Sequence, residues 1–188
     1  MRYQASIWRK KLFHTDPLIR IKATEQLGQS RDRTSLPLLH DVLSQDPDEI
    51  VRGYAAEAIG LIGERAALRQ LERALEKEGS ERARAQILFA LCLLGKHQYV
   101  SGIKRLLRSR DYHTRCASIY ILATLVHQRN WRETANTFRR LLKREPTVAV
   151  KSSLANNLAY LSHKFERKSR SSGRAFRGHE TISRTQPT

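Results

Sequence analysis

A basic residue returns at Arg20, Arg52, Arg84, Arg115 and Lys151, at spacings of 32, 32, 31 and 36 residues, and a fixed pattern travels with it. Seven residues on stands an aliphatic side chain each time: Leu27, Ile59, Leu91, Leu122 and Leu158. Eight residues on stands a small one, Gly28, Gly60, Cys92, Ala123 or Ala159, the choice expected where neighbouring helices approach too closely for a long side chain. A period of this length constrains the fold more than any other feature. Each repeat is one supersecondary unit that cannot bury its apolar face alone, so the units must stack.

The unit is a pair of amphipathic helices. Between Val51 and Lys77, apolar or small residues at Val51, Ala55, Ala58, Ile59 and Ile62 follow helical spacing, and Leu68, Leu71, Ala74 and Leu75 do so after a hinge at Gly63 and Glu64. The second helices repeat their anchors at Leu36, Leu68 and Val100 and again at Leu43, Leu75 and Leu107. The fourth unit slips against this register. About four extra residues in its inter-helix turn, near Gln128 to Trp131, restore it, aligning Phe138 with Leu39, Leu71 and Ile103, and Leu142 with Leu107. The 36-residue spacing requires the same insertion.

The runs Val51-Arg52-x-x-Ala55-x-x-Ala58-Ile59-Gly60-x-Ile62-Gly63 and Ile19-Arg20-x-x-Ala23-x-x-x-Leu27-Gly28 resemble HEAT repeats, in the short bacterial form also found in phycobilin-lyase subunits. The resemblance extends over residues 16 to 162, with only part of the motif kept in units three to five. It implies an all-α fold: a right-handed α-solenoid of about four and a half helical hairpins. It also implies that the second helices line the concave face, and that the recurring arginine pairs with an acidic residue of an adjacent turn to support stacking. Such solenoids host many tasks, so the resemblance is specific for fold and not for function.

Residues 1–15 read as a capping helix, with Tyr3, Ile7, Trp8 and Leu12 about a turn apart and covering the first repeat. The solenoid occupies 16–163. Asp16-Pro17 and Asp46-Pro47 combine an N-cap carboxylate with proline at the first helical position, marking the starts of units one and two; Ser80 and Asp111 cap units three and four. Gly63 and Gly95 end first helices, where glycine takes the left-handed conformation without steric cost. After Phe165 the periodicity stops, and the polar segment 164–188, rich in Ser, Gly and Arg, reads as a basic disordered tail. The longest apolar run, residues 87–94, is too short to span a bilayer. With no secretory leader pattern and two cysteines in different helices, the chain is expected to be cytoplasmic and monomeric by itself.

Charge narrows the choice of partners. The formal net charge is +17, of which residues 1–95 hold +2 and residues 96–188 hold +15. Equivalent positions on successive second helices read His40, Asp41, Ser44; then Glu72, Arg73, Glu76; then Lys104, Arg105, Arg108; then Arg139, Arg140, Lys143. The row turns from mildly acidic to wholly basic. A solvated helix face is the ordinary reading of such a row, but stacking six like charges in adjacent repeats costs self-repulsion that an anionic partner would relieve.

No CxxC, HExxH or phosphate-binding loop occurs, so neither metal nor cofactor is expected. Cys92 sits in the small-residue column as packing. Cys116, beside Arg115, has a cation near its thiol but no partner base. His97, His127 and His163 fall near first-helix ends, where a donor suits exposed carbonyls. Trp131, in the inserted turn, is expected to be exposed, with Tyr99 and Tyr112 close in sequence to the basic rows. These residues define a partner-binding surface of Lys104, Arg105, Arg108, Trp131, Arg139, Arg140 and Lys143 on a non-catalytic binding protein for an acidic protein partner. The alternative is a nucleic-acid binder that uses the same cations on phosphates. An enzymatic role, as a HEAT-like DNA glycosylase or a phycobilin-lyase-type subunit, is the third reading; a glycosylase would need an acidic residue and aromatics lining its basic groove, for which unit four offers only Glu133 with Trp131.

Overall fold

The computed structural model describes the backbone of residues 2–127 and 130–175 and the side chains of residues 4–127 and 130–165. These residues form α-helices and short 3-10 turns, with no β-strand among them. After α1 (Arg2–Lys11) come four hairpins of a first and a second helix: α2 (Pro17–Gln29) with α3 (Leu36–Gln45), α4 (Glu49–Ile62) with α5 (Leu68–Lys77), α6 (Glu81–Leu93) with α7 (Val100–Leu106), and α8 (Tyr112–Leu125) with α9 (Trp131–Leu142). One long helix, α10 (Val148–Ala175), fills the first-helix place of unit five.

The repeat's anchors are the core. Leu27, Ile59 and Leu91 are fully buried, and so are Leu39, Leu71, Ile103 and Phe138 on the second helices, the alignment that the inserted residues of unit four require. The small column is a true contact: a Cβ added to Gly28 would lie 2.8 Å from Ala58 Cα, and one added to Gly60 only 2.7 Å from Ala90 Cα. Ala159, the last member of the column, is exposed, with no further helix packed on it among the described residues.

The recurring arginine ties each unit to the next. Arg20 donates from Nε and Nη2 to Asp46 at 2.7 and 2.8 Å, while its Nη1 donates to the carbonyls of His14 and Thr15. Arg52 repeats the arrangement with Glu78 and the carbonyls of Asp46 and Pro47. Arg115 reaches Glu145 and Thr147. Each acceptor carboxylate also takes the backbone N–H two residues on, at Asp48, Ser80 and Thr147, and so shapes the turn into the next helix. Unit three breaks the series. Ser109 stands where a carboxylate is needed, Arg84 keeps only carbonyl contacts with Leu75 and Glu78, and Arg82 makes the inter-unit ion pair instead, with Asp111 at 2.7 Å. Ser109 donates to Glu81 and accepts from the Asp111 N–H.

The helix ends follow the expected chemistry with one correction. Asp16, Ser80 and Asp111 cap α2, α6 and α8. Asp46 does not cap α4, because its carboxylate is taken by Arg20; Asp48 does so, accepting from Ile50 and Val51 N–H. Gly63 and Gly95 are left-handed, and Arg31 takes that conformation at the matching place in unit one. At the N-terminus Leu12 and Ala5 are buried and Trp8 partly so, whereas Ile7, expected in the cap's apolar face, is exposed. At the other end α10 continues to Ala175, past His163, where the solenoid is expected to end; residues 176–188 of the expected tail lie outside the described residues.

The two rows of helices are unequally spaced. Gly28 and Gly60 let the backbones of α2, α4 and α6 approach one another closely, whereas α3 and α5 stand far enough apart to leave a groove of about 530 Å³ lined by Leu43 and Ala74. A stack with one row tighter than the other bends toward the tight row. Consistent with this, side chains from four successive first helices, from Glu25 on α2 to Tyr120 on α8, border a single cleft. The concave side is therefore formed by the first helices. The second helices, expected to line it, lie on the outer side.

Candidate binding surface

Six cations of the second-helix row are exposed on the outer face of units three and four. Lys104 and Arg105 lie in the last turn of α7 and Arg108 just beyond it; Arg139 and Arg140 lie in the last turn of α9, which Lys143 caps. The Lys104 Nζ donates to Glu133 at 2.9 Å, an exposed pair that links α7 to α9. Arg139 and Arg140 donate to the neutral Asn136 and Thr137 of their own helix. Among the described residues, Lys104 is the member of the row with a carboxylate within ion-pair distance. The C-terminal dipoles of α7 and α9 favour cations in these last turns, yet α3 has none in its last turn and α5 has only Lys77. The basic character thus belongs to units three and four, not to the repeat.

Trp131 is not part of this surface. It is 6% exposed and stacks on Phe165 of α10, with ring centroids 5.9 Å apart and planes 13° from parallel. The reason lies in how the insertion is absorbed: the extra residues lengthen α9 by a turn instead of lengthening the loop. Trp131, Ala135 and Phe138 then stand at i, i+4 and i+7 on one helix face, and all three are buried. Gln128 and Arg129, the start of the expected insertion, lie outside the described residues. Of the other two aromatics, Tyr99 is half-buried and donates to Glu72 at 3.2 Å, and Tyr112 is exposed beside His113.

The Glu133 carboxyl, held by Lys104, lies below its ordinary value. With Glu133 in that pair and Trp131 in the core, the two are not assembled as an acid and a stacking platform. The thiols are not activated: burial pushes Cys92 up to about 11, and burial also raises Cys116 despite opposing contributions from Ser153 and Arg115. The rings of His97 and His127 meet edge to face at 6.4 Å. Among the described residues no group of three His, Cys, Asp or Glu could hold a metal ion, and no helix is long and apolar enough to cross a membrane.

These features define a class, the short α-solenoid of stacked helical hairpins. Residues 6–92 match the family model of HEAT repeats, and the later helices continue the same stack. A chain from the complex of CpcE and CpcF of phycocyanin lyase from Nostoc sp. PCC7120 has the same fold. Its TM-score is 0.57 at 16% identity, over 84% of this chain and 99% of that chain. Comparison with curated proteins found no match.

Proposed function

We propose that this HEAT-repeat protein is a non-catalytic binding module that holds an acidic protein partner on the outer face of units three and four. The observation that carries the reading is the row itself: Arg105, Arg108, Arg139, Arg140 and Lys143 are exposed, adjacent and without carboxylate partners among the described residues, while the same positions in units one and two hold Asp41, Glu72 and Glu76. Unpaired like charges raise the energy of the free surface, and a complementary acidic patch lowers it and steers association. The solved neighbour stands in a complex of CpcE with CpcF, which supports a protein as the partner.

The test is the quadruple variant Arg105→Glu, Arg108→Glu, Arg140→Glu and Lys143→Glu, compared with the unaltered chain in binding a poly-glutamate peptide and a duplex DNA oligonucleotide over a range of salt. The expected result is loss of peptide binding in a variant that keeps its melting temperature. Unchanged peptide binding by the variant overturns the reading. Preferential duplex binding, with a slope of log K against log salt near 0.9 for each phosphate neutralised, assigns the row to nucleic acid instead.

A further inference from the structure

The concave face carries chemistry opposite to that of the outer row. Its cleft, of about 360 Å³, is bordered by Glu25 of α2, Tyr54 and Glu57 of α4, Gln86 of α6 and Tyr120 of α8. The polar groups there are largely without protein partners. Glu57 is half-buried and makes no hydrogen bond or ion pair with the described residues, and the hydroxyls of Tyr54 and Tyr120 make none either. Gln86 Oε1 is buried and unpaired. Glu25 is engaged by Lys22 at 3.3 Å, one turn away on its own helix. Burial, reinforced by Glu25, raises the Glu57 carboxyl above its ordinary value, the sign of an acid set in the fold without a compensating cation.

The two carboxylates of the cleft are acceptors, so it asks for donors. Two tyrosine rings add π faces that attract a cation. A guanidinium group supplies five N–H donors, no acceptor, a permanent positive charge and a plane that stacks on aromatic rings. The cleft stands at the small end of the range of roughly 300 to 1,000 Å³ for ligand sites, which suits one side chain better than a large cofactor. We infer that the concave cleft is a binding site for an alkylguanidinium group, with its N–H donors on Glu57 and Glu25 and its plane against Tyr54 and Tyr120. The site is independent of the basic outer face, so either can fail without the other.

The test titrates the full chain with agmatine and, separately, with the peptide acetyl-Ala-Arg-Ala-amide, following the ring resonances of Tyr54 and Tyr120 by NMR. Saturable shifts of both tyrosines are expected. Tighter binding of the peptide identifies a polypeptide as the source of the group, and tighter binding of agmatine identifies a free metabolite; both outcomes sustain the site. The peptide with citrulline in place of arginine, equal in shape but neutral, is expected to bind at least about tenfold more weakly, since bonds to charged groups are the stronger ones. Glu57→Gln is expected to weaken both probes by about tenfold as well. Tyr120→Leu, at a residue 57% exposed and therefore safe for folding, weakens them severalfold, and Arg105→Glu on the opposite face leaves them unchanged. Equal binding of the citrulline peptide, unaltered binding by Glu57→Gln and Tyr120→Leu, or no saturable shift with either probe overturns the inference.

Discussion

Arg52 grips Glu78 at two points, its Nε and Nη2 each 2.8 Å from a carboxylate oxygen, while its third nitrogen holds the carbonyls that precede α4. Both side chains are largely shielded, at 20% and 6% exposure, and the pair joins the start of one hairpin to the end of its partner helix and the turn beyond. Bonds of this kind are stronger than surface ion pairs because both charges are paired and hydrogen-bonded in a partly desolvated place.

Arg52→Ala leaves Glu78 shielded without its cation. The expected loss is about 2 to 3 kcal/mol, below the 3 to 5 seen when a fully buried pair is broken, because some water reaches this one. Arg84→Ala is the comparison. Lacking a carboxylate partner, Arg84 contributes two bonds to carbonyls, and its removal should cost about 1 to 2 kcal/mol. Equilibrium urea denaturation of the two variants measures the difference, and equal losses would show that the carboxylate adds nothing to the joint.

Acid should loosen these joints. Arg52 and the Ser80 N–H hold the Glu78 carboxyl below its ordinary value of 4.5, and Arg82 with Thr114 holds that of Asp111 well below the usual carboxylate range. Glu145 is pushed up by burial, but its bonds from Arg115 and Thr147 outweigh this and leave it lowered. A folded-state pKa below the unfolded one means that the unfolded chain binds more protons in the window between them. The stabilisation is therefore complete above about pH 4.5 and is lost as pH falls toward the folded values. Melting temperature should decline steadily below that point, and more gently in Arg52→Gln, which no longer lowers Glu78.

Glu57 has the opposite sign. Its folded-state value is raised, chiefly by burial, so its ionisation in the fold is disfavoured and stability falls as pH climbs through the unfolded value near 4.5. Glu57→Gln should consequently melt higher than the unaltered chain at neutral pH, with the gap closing in acid. A lower melting temperature at pH 7 would show that the carboxylate is compensated in the fold.

Gly60 and Gly102 separate two kinds of glycine. At Gly60 a Cβ meets the backbone of α6 at 2.7 Å, which cannot yield without moving a helix, so Gly60→Leu should cost about 1 to 3 kcal/mol through overpacking. At Gly102 it meets the methyl groups of Leu88 at 3.1 and 3.2 Å, the ends of a flexible side chain. There, Gly102→Ala should be close to neutral, since the gain in helix propensity of about 1 kcal/mol offsets the adjustment. Melting curves that place both variants together would dissociate the small-residue column from inter-repeat contact.

Much of this architecture was legible because a period fixes which residues are equivalent: the Leu39, Leu71, Ile103 and Phe138 series and the Gly28 and Gly60 contacts follow from counting. The side toward which the stack bends was not, since equivalence says nothing of the relative spacing of the two helix rows. That spacing comes from backbone approach at glycine, a property of packed helices. Trp131 is buried and not in an exposed turn because the insertion lengthens α9, and its i, i+4, i+7 spacing with Ala135 and Phe138 is the sequence signal for that. The carboxylate column of Asp46, Glu78 and Glu145 was equally readable, as each stands two residues before a helix start or its cap. The cleft of the concave face joins residues of four units and has no local signature.

The stacking of Trp131 on Phe165 carries the last expectation. Phe165 is 6% exposed and belongs to the second half's core with Leu154 and Leu161, so the repeat's apparent end at His163 cuts through that core. A chain truncated after His163 loses the ring that covers Trp131, whereas one truncated after Ala175 keeps all of α10. The shorter chain, and Phe165→Ala in the full one, should each be destabilised by about 3 kcal/mol, as for other buried phenylalanines. The uncovered indole should also shift its emission to the red, a change that Trp8 at the far end does not share. Denaturant titration followed by fluorescence reads both effects at once. Equal stability of the two truncated chains would show that α10 ends its structural contribution before Phe165 and that the indole is covered by α9 and α8 alone.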